Sequence, residues 1–230
     1  MNKVYLIGNG YVCNFITDKY SDDFEFIGVC RSKKNNCKIN HCLDISTCTN
    51  QLKEVFQEEG SVVYLAAPQP TGVKDLTLNH FLSHIDKSKI NKIVYISTSG
   101  VYGDKKDQLV NEKSELIPLT DRAKRRVDAE GQIIKSDIEY TILRVPGIYG
   151  KGRLPLKRIV DNLPLIKEDI CKHTNLINAK DLSQIIIQCL SNKLTENIVM
   201  NVSDGTPIKT TEYYLYIYDA LKLEYPNFID

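Results

Sequence analysis

Lys3-Val4-Tyr5-Leu6-Ile7-Gly8-Asn9-Gly10-Tyr11-Val12-Cys13 is the stretch on which the reading of this chain turns. Val4–Ile7 is a short apolar run, too short for the core of a signal peptide, and glycine ends it. It reads as a buried strand. Tyr11–Tyr20 then has the pattern of a helix. Between them, Gly8 permits a tight turn, and Gly10 lets an anion approach the backbone where the helix begins. Unpaired N–H groups and the helix dipole favour negative charge there. The position after Tyr11-Val12 is normally Gly or Ala, for close helix–strand contact, and Cys13 is small enough to substitute. Strand, glycine turn and helix in this order predict a seat for the pyrophosphate of a dinucleotide. A plain strand–helix turn without a ligand is the alternative.

Working outward, short apolar runs alternate with amphipathic stretches. Strands are expected at Val4–Ile7, Phe24–Val29, Val62–Ala66, Ile93–Ser97 and Tyr140–Leu143. Helices are expected at Tyr11–Tyr20, Gln51–Glu58, Lys74–Lys87 and Ala123–Lys135. Near-continuous apolar strands are those covered on both faces. Their alternation with helices predicts an α/β fold, a doubly wound parallel sheet of Rossmann type. Farther on, Asp181–Leu190 has helical spacing, Val199–Val202 reads as a strand, and Thr210 or Thr211 caps a last helix through about Leu221. One domain over residues 1–230 is expected, in which roughly 145–230 adds a small C-terminal substrate-side appendage.

The chain has 230 residues and a formal net charge of +1, which leaves no electrostatic footprint for nucleic acid. No segment approaches the ~20 apolar residues that span a bilayer. The protein is read as cytosolic, with no membrane partner. Seven cysteines are present, an odd number with no Cys-x-x-Cys pair. Cys37, Cys42 and Cys48, even with His41 nearby, match no zinc spacing, so they are read as reduced structural thiols and no metal is expected.

The end of the second strand bears on the cofactor. An NAD site usually places Asp or Glu there, for the ribose 2′-hydroxyl. Here the chain reads Val29-Cys30-Arg31-Ser32-Lys33-Lys34. Arg31 and Ser32 suit a 2′-phosphate, which favours NADP, with NAD possible. A solvated basic turn is the plain alternative.

Further segments resemble the extended short-chain dehydrogenase/reductase superfamily, the NAD(P)-dependent epimerase/dehydratase group. They are the glycine turn, Leu43-Asp44-Ile45, Tyr64-Leu65-Ala66-Ala67-Pro68, Ile96-Ser97-Thr98-Ser99-Gly100-Val101-Tyr102-Gly103 and Leu143-Arg144-Val145-Pro146-Gly147-Ile148-Tyr149-Gly150. Asn175–Leu182 and Asn201–Gly205 support them, so the resemblance covers nearly the whole chain. It implies that Gly8, Asn9, Gly10, Tyr11 and Val12 form the pyrophosphate turn and that Asp44 and Ile45 touch the adenine. It places Leu65, Ala66, Ala67, Pro68 and Ser97 along the cofactor, and Pro146, Gly147 and Ile148 beside the nicotinamide. Thr98 aligns with the catalytic Ser/Thr, although a hydroxyl at a strand end also commonly caps the next turn.

The resemblance also implies a Tyr with a Lys four residues later, the phenol as acid/base and the ammonium lowering its pKa. The corresponding region is Leu119-Thr120-Asp121-Arg122-Ala123-Lys124-Arg125-Arg126-Val127-Asp128-Ala129-Glu130. One register puts Arg122 and Arg126 at the Tyr and Lys places; another puts Thr120 and Lys124 there. No tyrosine occurs between Tyr102 and Tyr140. Arginine holds its proton at neutral pH, so the pattern is that of an atypical, Tyr-less branch. Arg126 would still suit the cofactor ribose. Tyr102 and Tyr149 are other candidate donors, each otherwise a buried aromatic. His80 and His84 share a helix face without a third ligand and read as solvated or interface residues. His173 is a possible acid/base by position. Lys151, Arg153, Lys157 and Arg158 would contact an anionic substrate or simply face solvent. The C-terminal part is short for this superfamily, so the substrate pocket is expected to be small or partly open. The family's common dimer would use 74–87 and 123–135. Two functions remain open: an oxidoreductase or epimerase-like enzyme on a small carbonyl, alcohol or sugar-derived substrate, and a non-catalytic dinucleotide-binding sensor or regulator. A fold relic that binds no nucleotide is the third reading.

Overall fold

The structure is a computed structural model that describes residues 1–32 and 36–230. Lys33 and Lys34 of the basic turn lie outside the described residues.

In chain order the first elements are β1 (Asn2–Ile7), α1 (Tyr11–Tyr20), β2 (Phe24–Cys30), β3 (Ile39–Cys42), α2 (Asn50–Val55), β4 (Gly60–Tyr64), α3 (Leu76–His84), β5 (Ile90–Thr98), α4 (Asp121–Ile134) and β6 (Tyr140–Val145). There follow β7 (Gly147–Tyr149), α5 (Leu156–Val160), β8 (Leu165–Ile166), β9 (His173–Thr174), β10 (Leu176–Asn178), α6 (Ala179–Ser191), β11 (Ile198–Asn201), β12 (Ile208–Lys209), α7 (Thr210–Leu221) and β13 (Phe228–Ile229). Seven strands form one sheet in the order β11-β6-β5-β4-β1-β2-β3, and every pairing in it is parallel.

Strand alternation sorts the side chains of β1 between two cores. Tyr5 and Ile7 join a cluster with Leu52 of α2, Leu78 and Phe81 of α3, and Ala129 and Ile133 of α4. Val4 and Leu6 join the other, with Val12, Cys13 and Ile16 of α1 and Leu182 and Ile186 of α6. The sheet is therefore covered on both faces, as the apolar runs predict. Each of these fully buried aliphatic side chains contributes about 1.5–3 kcal/mol. Order reverses between β1 and β4. Chains leaving those two strands part to opposite sides, and the crevice between them at the carboxyl edge is where an open α/β sheet takes its ligand.

Several boundaries differ from the sequence reading. β4 ends at Tyr64, because Leu65 turns away after its N–H bonds Ile7 O at 2.8 Å. Neither Thr210 nor Thr211 caps α7. Its N-cap is Lys209, while the two hydroxyls donate to the carbonyls of Lys172 and Ile166 and tie the helix to the segment before it.

Three helices are capped by their own side chains: α3 by Asp75, α4 by Thr120 and α6 by Asn178. Asp75 is fully buried, and its Oδ1 accepts from Leu78 N at 2.9 Å while Oδ2 has no partner among the described residues. Burial raises its carboxyl above the usual range, although the bond from Leu78 N–H and the nearby Arg126 pull it down. A raised folded-state value makes the ionised form a cost at neutral pH, and that cost fades as pH falls through the carboxyl's titration. Asp75→Asn keeps the cap and removes the charge. It should gain on the order of 1 kcal/mol at pH 7, about 2–4 °C in Tm, with the gain shrinking in melts at acidic pH.

Candidate functional site

Ten of the expected cofactor residues line one crevice of about 700 Å³ at the switch point: Gly8, Asn9, Gly10, Arg31, Ser32, Asp44, Ile45, Ala66, Ala67 and Pro68. Gly8 has φ +81°, and a Cβ built on it would stand 2.6 Å from Ala66 N. The turn after β1 and the chain after β4 are thus pressed together, and only glycine fits. Gly10 differs. Its φ is −120°, and an added Cβ would meet nothing closer than Gly8 O at 3.6 Å. Packing does not demand glycine there, so what the missing side chain leaves is open approach to the start of α1. That start has no side-chain cap and no acidic residue in its first turn. Unpaired N–H groups, a bare approach and no competing carboxylate fit the pyrophosphate of a dinucleotide.

The Asn9 side chain points away from this approach. Nearly fully buried, it bonds Asn36 (2.6 Å) and Asn40 (3.0 Å), and Asn36 in turn bonds Asn14 (3.1 Å). This lattice holds the turn against β2 and β3. Of the neighbouring expected residues, Val12 is core, and Tyr11 reaches the far part of the chain. Its hydroxyl donates to Lys151 O (3.1 Å), and the Arg153 guanidinium lies 5.0 Å from its ring centroid. Arg153 is therefore brought to the first turn of α1, a position that spacing along the chain does not reveal. At the adenosine end, Arg31 and Ser32 are exposed on the crevice wall. Asp44 accepts from Ser46 Oγ (2.6 Å) and N (2.9 Å), and these bonds, with Arg31 nearby, hold its carboxyl below the ordinary range.

A second cavity of about 490 Å³ opens on the same carboxyl edge, beyond β5 and β6. Pro146 and Gly147 line it, together with Ser99, Tyr102, Asp107 and His173. Ile148, in β7, is half-buried and packs against the α1–α6 core. Two ligand-sized spaces thus share the rim of one sheet.

A family model described as NAD(P)H-binding matches residues 22–193 of the 230. The chain belongs to the NAD(P)H-binding family. The match begins after the glycine turn, so the turn's role rests on its geometry. Solved structures agree on the fold. UDP-glucuronic acid 4-epimerase from Bacillus cereus, in complex with NAD, aligns with TM-score 0.83 and 18% identity over 99% of this chain and 87% of that one. UDP-N-acetylglucosamine 4-epimerase from Methanobrevibacter ruminantium M1 gives 0.79 and 17% over 100% and 85%. A protein of unknown function from Silicibacter pomeroyi gives 0.76 and 20% over 100% and 82%. Identities this low establish the fold alone, which is that of the NAD-dependent epimerase/dehydratase group, as the resemblance implies. A search of curated proteins finds no match.

Within this NAD(P)H-binding fold the four catalytic candidates are spread apart. Thr98 is half-buried at the end of β5, where its hydroxyl accepts from Gly100 N at 3.2 Å and caps the following turn. Arg122 is exposed. Lys124 is exposed and pairs with Asp121 at 3.3 Å, while Thr120 caps α4 through Ala123 N at 3.2 Å. Arg126 alone lies under the crevice. It is buried and donates from Nη1 to Tyr95 OH (2.8 Å) and Ala66 O (3.4 Å), bracing the carbonyl of a crevice residue. His80 and His84 stack at 4.1 Å on α3, with His80 against Cys48 O.

A buried polar chain lies beneath the rim. Ser97 donates to Glu130 Oε1 (2.5 Å), and Glu130 pairs with Arg144 (2.7 Å). Arg144 also donates to Tyr102 OH (2.9 Å), which donates to Asn201 Oδ1 (2.7 Å), and Asn201 N donates to Glu112 (2.7 Å). Ser97, expected beside the cofactor, is thus turned to this chain. Sequence reading passes over Glu130 and Arg144. The signal was an arginine inside the apolar run Ile142–Val145, since a charge in a central strand requires a partner.

Proposed function

We propose that this chain is an NADP(H)-dependent oxidoreductase of epimerase/dehydratase type, acting on a small carbonyl, alcohol or sugar-derived substrate without the superfamily's Tyr–Lys pair. The observation that carries the reading is the dinucleotide crevice with Arg31 and Ser32 at its adenosine end, beside a second cavity on the same sheet edge. Crevice residues would hold the cofactor: Gly8 and Gly10 at the pyrophosphate, Arg31 and Ser32 at a 2′-phosphate, Asp44 and Ile45 at the adenine. The cofactor would supply or take up two electrons and a hydrogen at substrate carbon. The second cavity would hold the substrate.

A thermal-shift panel with NADP(H), NAD(H) and nucleotide sugars tests the binding half, since a ligand of the folded state raises Tm with concentration. Turnover against carbonyls and alcohols tests the rest. Stabilisation stronger by NAD(H) than by NADP(H) would reverse the cofactor choice. Arg31→Ala should weaken NADPH roughly 10- to 100-fold, the worth of a charge-assisted contact, and leave NADH within about twofold, as read by titration.

A non-catalytic dinucleotide sensor is the second reading. It is favoured by Arg126 being spent on Tyr95 and Ala66 O, with Arg122 out in solvent. NADP(H) binding without turnover on any panel member would select it.

A further inference from the structure

Proton transfer to or from a substrate oxygen needs a titratable group that the substrate can touch. Among the described residues two phenols accept a hydrogen bond from a buried arginine, Tyr95 from Arg126 and Tyr102 from Arg144, and neither presents a free hydroxyl to a substrate. Tyr95, beside Arg126, is fully buried beneath the crevice, and burial pushes its phenol up to about 12 even with the guanidinium against it. Tyr102 lines the second cavity but is only 3% exposed, and its hydroxyl is already engaged by Arg144 and Asn201. His80 and His84 are on α3, against Cys48 O and each other rather than in either cavity.

His173 is different. It lines the second cavity with Ser99, Pro146 and Gly147. Its Nδ1 lies 2.6 Å from Asp107 Oδ2, and its backbone N–H donates to the other oxygen, Oδ1, at 2.9 Å. One carboxylate thus grips both the ring and the backbone of a residue 66 positions away. The loop that delivers it is bent for the purpose: Lys106 and Asp107 have φ +51° and +65°, left-handed conformations that non-glycine residues adopt at a cost. Lys172 clasps the same loop through Asp104 at 2.8 Å. With Nδ1–H donated to Asp107, Nε2 is the nitrogen left to work, and it has no partner among the described residues. Other charges around the ring are few. Lys105 lines the cavity, and Lys209 stands opposite on β12 with its ammonium on Glu168 O. The hydrogen bond to His173 keeps the Asp107 carboxyl below the usual carboxylate range, so it remains an anion facing the imidazole at neutral pH.

We propose that His173 is the proton donor and acceptor of this enzyme and that Asp107 is its positioning residue. The proposal rests on the oxidoreductase reading above. In carbonyl reduction, bound NADPH would supply one proton with two electrons to the carbonyl carbon and become NADP+. The Nε2–H bond of His173 breaks, its proton bonds to the carbonyl oxygen to give the alcohol, and the neutral imidazole takes a new proton from water. Alcohol oxidation runs the same transfer backward. Asp107 holds the ring in one tautomer, with Nδ1 toward its carboxylate.

The test compares wild type, His173→Gln and Asp107→Asn on the best carbonyl of the panel from pH 5.5 to 9. NADPH affinity and Tm are followed alongside, and the His173 ring tautomer is read by NMR. Expected for His173→Gln is a loss of 100-fold or more in kcat, with NADPH affinity and Tm retained and the imidazole inflection gone from the pH profile. Asp107→Asn should release the ring from the Nδ1–H tautomer, seen in its ring-nitrogen chemical shifts, and lower kcat at least roughly tenfold with KM little changed. His173→Gln within threefold of wild-type kcat overturns the proposal and leaves the oxidoreductase reading standing. A His173 tautomer unchanged by Asp107→Asn overturns the dyad. Wild type that binds NADPH and turns over no panel member overturns both.

Discussion

Gly8→Ala should lower stability by about 3 kcal/mol or more, a fall in Tm on the order of 10 °C, whereas Gly10→Ala two residues on should cost less than about 1 kcal/mol. The two glycines meet different constraints. At Gly8 the backbone is left-handed, which costs an alanine roughly 1–2 kcal/mol by itself, and the new methyl would fall 2.6 Å from Ala66 N, 2.7 Å from Ala66 Cα and 2.9 Å from Leu65 C. Those are main-chain atoms of the segment after β4, and they cannot swing aside. Relief requires β1 and β4 to part at their carboxyl ends, where Leu65 N also bonds Ile7 O. At Gly10 the methyl meets a carbonyl oxygen at ordinary contact distance. Its penalty falls on the ligand instead, and NADPH affinity should drop at least tenfold. Thermal melts with and without NADPH read both numbers. Equal stability of the two variants would contradict the close approach of Gly8 to Ala66, and unchanged affinity in Gly10→Ala would remove the pyrophosphate from this turn.

Glu130→Ala should be as damaging, by a different route. Glu130 and Arg144 are 3% and 5% exposed, and the carboxylate is the guanidinium's charge partner. Removing it strands a buried cation and leaves Ser97 Oγ without its acceptor, a change that typically costs about 3–5 kcal/mol. A fall in Tm on the order of 10 °C is expected. Arg144→Met strands the carboxylate in the same way, so the double variant Glu130→Ala with Arg144→Met should be markedly more stable than the sum of the single losses. Chemical denaturation of the three variants measures that coupling, and strict additivity would show the pair to be independent.

What the sequence makes readable here is what is local. The apolar runs of β1, β2, β5 and β6 announce strands covered on both faces, and the covering helices do lie on both sides. The glycine turn is contiguous in sequence, so its placement at the switch point follows from strand order. Crevice residues Asp44 and Ala66 are legible through the resemblance of the blocks that hold them, and each lies two residues past a strand end. Contacts that depend on the pairing of distant loops are not. Asp107 and His173 meet only because β9 runs beside the loop after β5. Arg153 reaches Tyr11 because the chain after β7 folds back over α1. Arg126 is a borderline case: its helix is plain in the sequence, but the face it occupies depends on how α4 lies against β5, and two positions separate a buried Arg126 from an exposed Lys124 on the same helix. Two-residue strands such as β8, β9, β12 and β13 carry no periodicity that a sequence pattern can hold.

The Tyr11 hydroxyl, donating across 140 positions to Lys151 O, gives the molecule a form of internal bookkeeping. Tyr11 is the first residue of the helix whose start would carry the pyrophosphate, and Lys151 follows the strand that continues from the second cavity. A dinucleotide at the start of α1 and order in the 150–153 segment would share that bond. Whatever factor a bound dinucleotide contributes to holding the 150–153 segment, a ligand that steadies that segment returns to the dinucleotide unchanged, because coupling between two sites is reciprocal.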